Sequence, residues 1–534
     1  MTHPITCGEA TMRLLARYGV TTVFGIPGVH TLDFCRGLHG DIKHVQARNE
    51  MGAGFMAEGW ARATGKPGVA LVISGPGVTN AATPVGQAYA DSLPLLLLSA
   101  EPPSNSIGKG WGVLHEVTEQ KKVTEPLTAL SATAMRPADV PDLLAQAFTI
   151  FASGRPRPVH LSIPIDVQAE LVDDVWEAVP PPGRAEAPSA QLEAAAAMLS
   201  DARRPLIMVG GGAADAGAPL KAIAESLGAP VLASTAGKGI VPDDHPLSLS
   251  GATVRPEVLA YVAKADVVLA VGTELSETDS FVDRLPLNGR LIRVDIEPRK
   301  LTDLYPADLG ILGDATAAAR GICEALAGHR SNRRGEAHTE VAELRAAIAG
   351  ALSASEQRHS RLLTLMDEIA PSDITWSGDA CQLVYTGAFR LPVRKPRQWF
   401  YPAGYCALGN ALPNAIGAKM AKPAGPVAVM VGDGGFMFTM PELLTAAELK
   451  LPIAVVIWEN DGLKQIQDDM DSRNISRVGV EGINPDFVAL AHACHCHGVR
   501  PDGADAFTSA FKGALSADRP TVIVVREDAD WLQG

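Results

Sequence analysis

The sequence predicts an α/β protein built from three doubly wound parallel-sheet domains. Apolar, strand-like runs alternate with amphipathic, alanine-rich helical stretches along the chain, which is the pattern of parallel sheets covered by helices. Two polar segments lack this periodicity, VPPPGRAEAPSA at 179–190 and GHRSNRRGEAHTEV at 328–341, and they divide the chain into three blocks. The length of 534 residues agrees with this division, since single cores stop growing at roughly 250 to 300 residues.

The three predicted domains span residues 1–172, 190–345 and 357–534. The first domain contains the strand-like runs TTVFGIPG, VALVISG, LPLLLLSA and RPVHLSIP. The second contains RPLIMVGGG, APVLAST, ADVVLAVGT and GRLIRVDIE, and the third contains PVAVMVGDG, LPIAVVIWEN and PTVIVVRED. Short runs that are almost continuously apolar are typical of strands that are buried on both faces of a parallel sheet.

Composition excludes several classes of partner. Forty-six basic and sixty acidic residues give a net charge of −14 that is spread along the chain, without a stripe of Lys and Arg. We therefore expect no binding to nucleic acid or to a membrane. No run of 18 apolar residues occurs, and the N-terminus MTHPITCGEATMRLL lacks the pattern of a secretion signal. We expect a cytoplasmic protein whose seven cysteines are reduced thiols.

One short segment, HACHCHG, contains five potential metal ligands: His492, Cys494, His495, Cys496 and His497. Zinc sites normally draw two pairs of ligands from separate segments, and neighbouring residues at the end of a helix point to different sides. We therefore expect an ordinary helix C-terminus that is closed by Gly498, in preference to a metal site.

The segment VAVMVGDGG, at 427–435, indicates a ligand site at the end of a buried strand. The apolar run stops at Asp433, and Asn460 ends the next strand-like run, LPIAVVIWEN. The carboxyl ends of neighbouring parallel strands meet at one edge of a sheet, where the ligands of such sheets collect. A carboxylate, an amide oxygen and phosphate oxygens are the ligands that Mg²⁺ prefers. Gly434 and Gly435 would then open the following helix and let its N–H groups approach a diphosphate.

At this point the residues carry a resemblance to a known family. GDG followed by a strand that closes on Asn is similar to the diphosphate-binding signature of thiamine diphosphate enzymes, and FMFTMPELLTAAELKLPIAVVIWEN resembles that region throughout. RNEMGAGFMAEGWAR, SGPGVTNAATPVGQAYADSLPLLLLSA and GYCALGNALPNAIGAK are similar to acetolactate synthases and related 2-oxo acid decarboxylases. The family usually has Asn-Asn where this chain has Glu459-Asn460, which leaves the ligand Asn in place. The resemblance covers essentially the whole chain, in the order pyrimidine-binding, central and diphosphate-binding domain.

The resemblance implies thiamine diphosphate and Mg²⁺ as cofactors, with roles for particular residues. Glu50 would be the catalytic carboxylate that activates the cofactor through its aminopyrimidine. Leu408 would be the apolar wedge that bends the cofactor, and the carbonyl of Cys406 would accept from the 4′-amino group. The full implied set of cofactor-binding residues is Cys406, Leu408, Gly409, Asp433, Gly434, Gly435 and Asn460, and the implied metal ligands are Asp433, Asn460 and the carbonyl of Gly462.

The family also implies that Glu50 of one subunit meets Asp433 of another. We therefore expect a homodimer or homotetramer with its active sites at the subunit interface.

Substrate choice depends on GKGWGVLHEVTEQ, at 108–120. Acetolactate synthases carry Phe-Gln before the Glu of this loop, whereas this chain has Leu114-His115-Glu116. Histidine transfers protons near neutral pH, as a decarboxylase must, so His115 is a candidate catalytic residue; the alternative is a surface or core histidine without a chemical role. Together with NDGLKQIQDDM, this loop looks more like the 5-guanidino-2-oxopentanoate decarboxylase branch than a biosynthetic acetolactate synthase.

Five residues are candidates for contact with the substrate: Val29, Asn80, Gln87, Asp468 and Asp469. The two aspartates would neutralise a cationic substrate tail, although adjacent acids on a helix are often simply solvated.

The expected function is decarboxylation of a 2-oxo acid through an enamine intermediate. One alternative is a carboligase of the acetolactate synthase type, which joins the enamine to a second 2-oxo acid or aldehyde. A non-catalytic binding protein is a second alternative, against which the presence of Glu50 argues. A flavin-dependent pyruvate oxidase is a third. VGGGAADAG at 209–217 and Asp295 hint at a nucleotide site in the central domain, but a clean G-x-G-x-x-G is absent. TELSETDSF replaces the Arg-Phe-Asp-Asp run of FAD-binding members, so we expect no FAD.

Overall fold

The computed structural model describes residues 4–38 and 40–533 and confirms the predicted fold class. Each of its three large sheets is parallel throughout. No helix in the described ranges is both long and apolar enough to cross a bilayer.

The N-terminal sheet has six strands in the order β3-β2-β4-β5-β7-β6, and a short antiparallel pair, β1 and β8, lies beside it. The strands are β1 (Ile5–Thr6), β2 (Thr22–Gly25), β3 (Lys43–Gln46), β4 (Gly68–Val72), β5 (Leu95–Glu101), β6 (Leu130–Thr133), β7 (Val159–Pro164) and β8 (Leu171–Val172). The helices are α1 (Cys7–Arg17), α2 (Leu32–Cys35), α3 (Glu50–Thr64), α4 (Pro76–Ala90), α5 (Gln120–Thr124), α6 (Asp139–Ser153) and α7 (Ile165–Ala169).

The central sheet has five strands in the order β10-β9-β11-β12-β13. The strands are β9 (Pro205–Val209), β10 (Val231–Ala233), β11 (Val267–Val271), β12 (Arg290–Asp295) and β13 (Leu309–Leu312). The helices are α8 (Ser189–Ser200), α9 (Gly217–Leu227), α10 (Pro256–Val262), α11 (Ala315–Ala325) and α12 (Arg334–Gly350).

The C-terminal sheet has six strands in the order β15-β14-β16-β17-β19-β18. The strands are β14 (Thr375–Gly378), β15 (Trp399–Phe400), β16 (Val427–Gly432), β17 (Ile453–Glu459), β18 (His497–Val499) and β19 (Thr521–Arg526). The helices are α13 (Ala354–Ile369), α14 (Gln382–Arg390), α15 (Ala411–Ala421), α16 (Asp433–Thr439), α17 (Glu442–Glu448), α18 (Lys464–Ser472), α19 (Phe487–Ala493) and α20 (Ala504–Ala514).

The N-terminal and C-terminal domains share one hydrophobic core, in which α3 packs against α15. Two glycines let the helices approach closely. A Cβ on Gly59 would lie 2.1 Å from the carbonyl oxygen of Asn414, and a Cβ on Gly417 would lie 2.0 Å from that of Met56. Any larger residue at these points would push the two domains apart.

The expectation that HACHCHG is a helix C-terminus closed by Gly498 is wrong. Helix α19 ends at Ala493, five residues earlier, and His495 takes a positive φ of 60°. Gly498 lies inside β18 instead, where a Cβ would come 2.9 Å from the carbonyl oxygen of Val488 on α19. Close packing of this strand against α19 therefore explains the glycine. In the described ranges, no three His, Cys, Asp or Glu side chains are grouped as possible metal ligands.

Candidate active site

Asp433 and Asn460 lie at the same edge of the C-terminal sheet, because β16 and β17 are parallel neighbours. Asp433 is fully buried. Its Oδ2 accepts from the backbone N–H groups of Asn460 at 3.0 Å and Asp461 at 2.7 Å, and its Oδ1 accepts from Gly434 at 2.8 Å. The side-chain amide of Asn484 also donates to Oδ2, at 2.8 Å. These donors fix the carboxylate in one orientation at the sheet edge.

The chemistry of the neighbouring oxygens fits a hard cation. The Nδ2 of Asn460 donates to Glu527 at 3.2 Å, and its Oδ1 has no hydrogen bond in the described part of the chain. Gly462 takes a φ of 140°, and a Cβ there would lie 2.3 Å from the carbonyl oxygen of Val480. A carboxylate, an amide oxygen and a backbone carbonyl are together the ligand set that Mg²⁺ prefers.

Glu459, which stands where the family usually has Asn, does not disturb this arrangement. Its carboxylate is buried and accepts from Arg500 at 2.5 Å, so the buried charge is paired. None of its contacts in the described ranges involves Asp433.

The turns that would hold the cofactor are tied together by Asp379, which follows β14. Its carboxylate accepts from the backbone N–H groups of Ala380 and Gly409, both at 2.8 Å, and burial raises its pKa to about 6. A Cβ on Gly435 would lie 3.2 Å from this carboxyl group, so a side chain at residue 435 would fill the space between the two turns. Both side-chain amide atoms of Asn410 are buried and find no hydrogen-bond partner among the residues that the structure describes. Such an orphaned amide calls for a polar ligand, and the turns therefore fit thiamine diphosphate.

The segment before α15 carries the predicted wedge. Cys406 takes a positive φ of 54° and is exposed, and Leu408 is half-buried. Between them, the backbone N–H of Ala407 donates to the Oε1 of Gln87 at 3.1 Å. The N-terminal domain thus fixes the conformation of the turn that presents the Cys406 carbonyl and the Leu408 side chain.

Glu50 is the first residue of α3, and its side chain is 9% exposed. Its Oε2 accepts from the Nδ2 of Asn80 at 2.9 Å. In the described chain Glu50 makes no contact with Asp433, Asn460 or Gly462. One chain alone therefore does not bring the predicted catalytic carboxylate to its own predicted metal ligands.

His115 meets a second histidine that the sequence analysis did not identify. The ring of His30, in the turn after β2, packs edge-on against the ring of His115 with 5.0 Å between centroids. The Nδ1 of His30 lies 2.5 Å from the Oγ of Ser74, in the turn after β4. Burial and the neighbouring His115 lower the pKa of His30. Among the described residues, the buried Nδ1 of His115 has no hydrogen-bond partner.

The loop that carries His115 is held by Glu116. The Oε1 of Glu116 accepts from the backbone N–H groups of Gly110 at 2.8 Å and Trp111 at 3.3 Å, and its Oε2 accepts from Gly112 at 2.7 Å. Because one carboxylate accepts from three backbone N–H groups of its own loop, the loop is held in a compact conformation.

The candidate substrate residues fall into different environments. Val29 is 64% exposed beside His30, and Asn80 is exposed and bound to Glu50. Gln87 is fully buried, and its amide is used by Ala407 and Asp91, so a bracing role suits it better than contact with substrate.

Asp468 and Asp469 both lie on α18 but differ in their partners. Asp468 pairs with the Nζ of Lys464 at 2.6 Å and accepts from Gln382 at 2.9 Å. Within the described ranges, the carboxylate of Asp469 accepts only from the neutral amide of Gln465, at 3.3 Å. Of the two, Asp469 has the charge that is not already neutralised.

In the central domain, the glycine-rich turn after β9 packs against the turn after β11. A Cβ on Gly210 would lie 2.3 Å from the carbonyl oxygen of Gly272, and one on Gly212 would lie 3.0 Å from the Gly272 Cα. These glycines are therefore explained by the close packing of the two turns. The expectation that no FAD is bound stays a prediction.

Four residues at these sheet edges were not identified from the sequence: His30, Ser74, Asp379 and Asn484. Asp379 follows an apolar strand and a glycine, WSGD, which is the same signal as MVGD at Asp433. The other three carry no comparable local signal, because their roles depend on contacts with residues 44 or more positions away.

Models of thiamine pyrophosphate enzyme domains match the chain in three places. The N-terminal TPP binding domain matches residues 5–123, the central domain matches 192–322, and the C-terminal TPP binding domain matches 379–525.

Individual relatives align over nearly the full length. A probable 2-ketoarginine decarboxylase of Pseudomonas aeruginosa is 47% identical over 98% of this chain and 94% of its own length. The acetolactate synthase large subunit of Corynebacterium glutamicum is 31% identical over 98% of this chain and 87% of its own length. Glyoxylate carboligase of Escherichia coli O157:H7 is 31% identical over 97% and 92%. The chain therefore belongs to the thiamine pyrophosphate enzyme family, in its group of acetolactate synthases and 2-oxo acid decarboxylases.

Proposed function

We propose that the protein is a thiamine diphosphate- and Mg²⁺-dependent decarboxylase of a 2-oxo acid. The observation that favours decarboxylation over carboligation is the His30–His115 pair, which lies at the carboxyl edge of the N-terminal sheet. A decarboxylase must return a proton to the carbon that has lost CO₂, and histidine does this near neutral pH.

The cofactor roles are assigned to residues of both outer domains. When bound, thiamine diphosphate supplies the electron sink for the charge left by CO₂, by the predicted enamine route. Asp433, Asn460 and the carbonyl of Gly462 hold Mg²⁺. Glu50 holds a proton at the aminopyrimidine, and Leu408 and the carbonyl of Cys406 set the shape of the bound cofactor.

Proton transfer is assigned to His115, with His30 as its support. The lowered pKa of His30 keeps its ring neutral, so it does not compete for the proton that His115 carries. The hydrogen bond between His30 and Ser74 fixes the His30 ring, and the ring in turn limits the orientations of His115.

The substrate that fits best is a cationic 2-oxo acid such as 5-guanidino-2-oxopentanoate, which is 2-ketoarginine. The near-full-length similarity to a probable 2-ketoarginine decarboxylase supports this assignment. Asp469 is the acid that receives the guanidinium group, because Lys464 already neutralises Asp468.

The active unit is a homodimer, or a homotetramer built from such dimers, in the cytoplasm. Seven large apolar side chains are exposed on segments around the candidate site: Val29, Leu32, Trp111, Leu114, Tyr405, Met437 and Phe438. Exposed apolar side chains of this number favour burial against a second copy. In such a dimer Glu50 of one subunit serves the cofactor held by Asp433 of the other.

A carboligase is the second candidate, and the acetolactate synthase and glyoxylate carboligase relatives at 31% identity support it. In that reaction the substrate-derived carbanion attacks a second carbonyl compound, so the product is an acyloin or a 2-hydroxy-3-oxo acid and not an aldehyde.

The deciding experiment is a panel of 2-oxo acids assayed with thiamine diphosphate, with Mg²⁺ or with EDTA, in which CO₂ and the organic product are measured together. We expect CO₂ and the aldehyde in equal amounts, dependence on Mg²⁺, and the highest kcat/KM for 5-guanidino-2-oxopentanoate. An acyloin as the main product would establish the carboligase instead.

The substrate assignment is tested with a matched pair of variants, Asp469→Asn and Asp468→Asn. Asp469→Asn should raise KM for the guanidino substrate at least tenfold and leave KM for the neutral 5-ureido analogue unchanged, since a charge-assisted hydrogen bond contributes about 1.5–3 kcal/mol. Equal effects on both substrates would refute recognition of charge by Asp469.

A further inference from the structure

Helix α17 reaches from the C-terminal domain to the segment that precedes Glu50. Its first residue, Glu442, is 1% exposed. The Oε1 of Glu442 accepts from the backbone N–H of Arg48 at 3.0 Å and from that of Asn49 at 3.1 Å. Two adjacent peptide groups are therefore fixed by one carboxylate immediately before the predicted catalytic residue.

The surrounding contacts hold the Glu442 side chain in place. Thr445, one turn along α17, donates from Oγ1 to the Oε2 of Glu442 at 2.7 Å and lies 3.2 Å from the carbonyl oxygen of Gln46. A Cβ on Gly52 would come 2.1 Å from the Oε1 of Glu442. The absence of a side chain at Gly52 is thus what lets the carboxylate reach the start of α3.

Burial makes this carboxylate costly, and its contacts explain why it is tolerated. Desolvation raises the pKa of Glu442, while the donors from Thr445, Arg48 and Asn49 lower it. A buried carboxylate is stable only when its oxygens are hydrogen-bonded. The backbone N–H groups of Arg48 and Asn49 replace the hydration that the buried carboxylate loses, and the carboxylate in turn fixes the position of these N–H groups.

The position of α17 in the chain connects two parts of the site. Helix α16 begins at Asp433, and α17 follows it after only Met440 and Pro441. One short stretch of chain therefore carries both the predicted metal ligand and the residue that holds the start of α3.

We propose that Glu442 is a positioning residue that aims the carboxylate of Glu50 at the cofactor. The role rests on the proposed function, in which Glu50 activates thiamine diphosphate. Glu442 touches neither substrate nor cofactor in this role. It fixes the backbone at Arg48 and Asn49, and this sets where α3 begins and in which direction Glu50 projects.

The test compares three substitutions. In Glu442→Gln the amide oxygen still accepts from Arg48 and Asn49 and the amide nitrogen donates to Thr445, so positioning is retained. In Glu442→Asp the charge is retained but the shorter side chain does not reach both N–H groups. Thr445→Val removes the hydroxyl that holds Oε2 and is a milder variant should Glu442→Asp fold poorly. Glu448→Gln, on the same helix, removes an exposed ion pair with Arg48 and is the matched control.

Two quantities are measured for each variant: the Kd of thiamine diphosphate with Mg²⁺, and the rate at which the C2 proton of the bound cofactor exchanges with deuterium, followed by NMR after acid quench. We expect Glu442→Asp to slow C2 exchange about 10- to 100-fold with a nearly unchanged Kd, because small misplacement of a catalytic group costs up to about 10²-fold. Thr445→Val should slow it less, and Glu442→Gln and Glu448→Gln should exchange like the wild type.

The same comparison in a Glu50→Gln background separates positioning from a general structural role. With Glu50 replaced there is no carboxylate left to aim, so Glu442→Asp should cause no further loss of C2 exchange. An equal loss in both backgrounds, wild-type exchange in Glu442→Asp, or a loss confined to Kd would overturn the proposal. Wild-type exchange in Glu50→Gln itself would overturn the proposed role of Glu50, and with it that of Glu442.

Discussion

At the scale of single residues, the site is built from buried carboxylates that are held by backbone N–H groups. Asp433 and Asp379 each follow a strand of the C-terminal sheet and accept from the turns beside them, and Glu442 does the same for the start of α3. Removing a carboxylate from water disfavours its charged form unless donors replace the lost hydration. Asp433 and Asp379 thereby fix the turns that would hold the proposed cofactor, and Glu442 fixes the segment before α3.

His115 carries the first prediction. Replacing it with glutamine, the residue of acetolactate synthases, should slow aldehyde release and spare the loss of CO₂, because the carbon that loses CO₂ no longer receives its proton. General acid catalysis contributes about 10²- to 10⁴-fold, so the ratio of acyloin to aldehyde should rise measurably in a product assay.

His30→Gln is the matched variant for His115→Gln. It removes the ring that orients His115 and leaves His115 itself, so its effect should be in the same direction and smaller. If His115→Gln leaves both the rate and the product ratio unchanged, His115 has no part in proton transfer.

At the scale of elements, the His115 loop is supported by a buried network that joins β5, α5 and the turn before α4. The Nε2 of Gln120 donates to Glu101 at 2.7 Å, and its Oε1 accepts from the backbone N–H of Gly75 at 2.6 Å. A Cβ on Gly75 would lie 2.5 Å from the carbonyl oxygen of His115. The network thus fixes the turn on which the His115 loop rests.

Glu101 carries the second prediction, a dependence of stability on pH. Burial raises its pKa from an ordinary 4.5 to about 7, so the folded protein binds this proton more tightly than the unfolded chain does. The free energy of unfolding should therefore fall as pH rises from about 4.5 to 7, by at most about 3 kcal/mol. Glu101→Gln should lack this loss, and urea denaturation at pH 5 and pH 8 measures it.

The control for Glu101→Gln is Glu119→Gln, an exposed acid that directly precedes Gln120 and pairs with Lys122. It should follow the wild-type dependence on pH. Parallel curves for wild type and Glu101→Gln would mean that Glu101 does not hold a proton in the folded state.

At the scale of the whole molecule, the outer domains are joined by buried polar contacts as well as by their shared core. Arg62 on α3 pairs with Glu58 at 2.8 Å and with Asp91, and Asp91 accepts from the backbone N–H of Gly404 at 2.8 Å. Gln87 holds Ala407 in the same way. The N-terminal domain therefore shapes the wedge turn of its own chain, and the proposed dimer would place Glu50 at the site of a second subunit.

Complementation between inactive variants carries the third prediction. Glu50→Gln and Asp433→Ala should each abolish most activity, but when both chains are coexpressed, a mixed dimer has one site with neither defect. Random pairing then restores about a quarter of wild-type activity. Product formation per subunit in the copurified mixture measures this.

The control replaces the second chain with a Glu50→Gln, Asp433→Ala double variant, which leaves no intact site in any pairing. A mixture that is no more active than this control would mean that each site is built within one chain.

The sequence by itself determined the fold class and the candidate cofactor residues. Long apolar runs such as those of β16 and β17 predict buried parallel strands from their own composition, and topology then brings Asp433 and Asn460 to one edge. The assignments of Glu50, Leu408 and Cys406 came from a family resemblance carried by local motifs. All of these are properties of contiguous segments, which is why they were visible without coordinates.

Only the tertiary structure decided which residues surround those motifs. The strands β3, β6 and β18 were not identified, because they are short and only partly apolar, and each is an edge strand that is held by pairing with a single neighbour. His30 beside His115 and Glu442 beside Arg48 join residues far apart in the chain. The first contact depends on how the N-terminal sheet brings two of its turns together, and the second depends on how the two outer domains pack against each other. Spacing along the sequence carries no information about these distances.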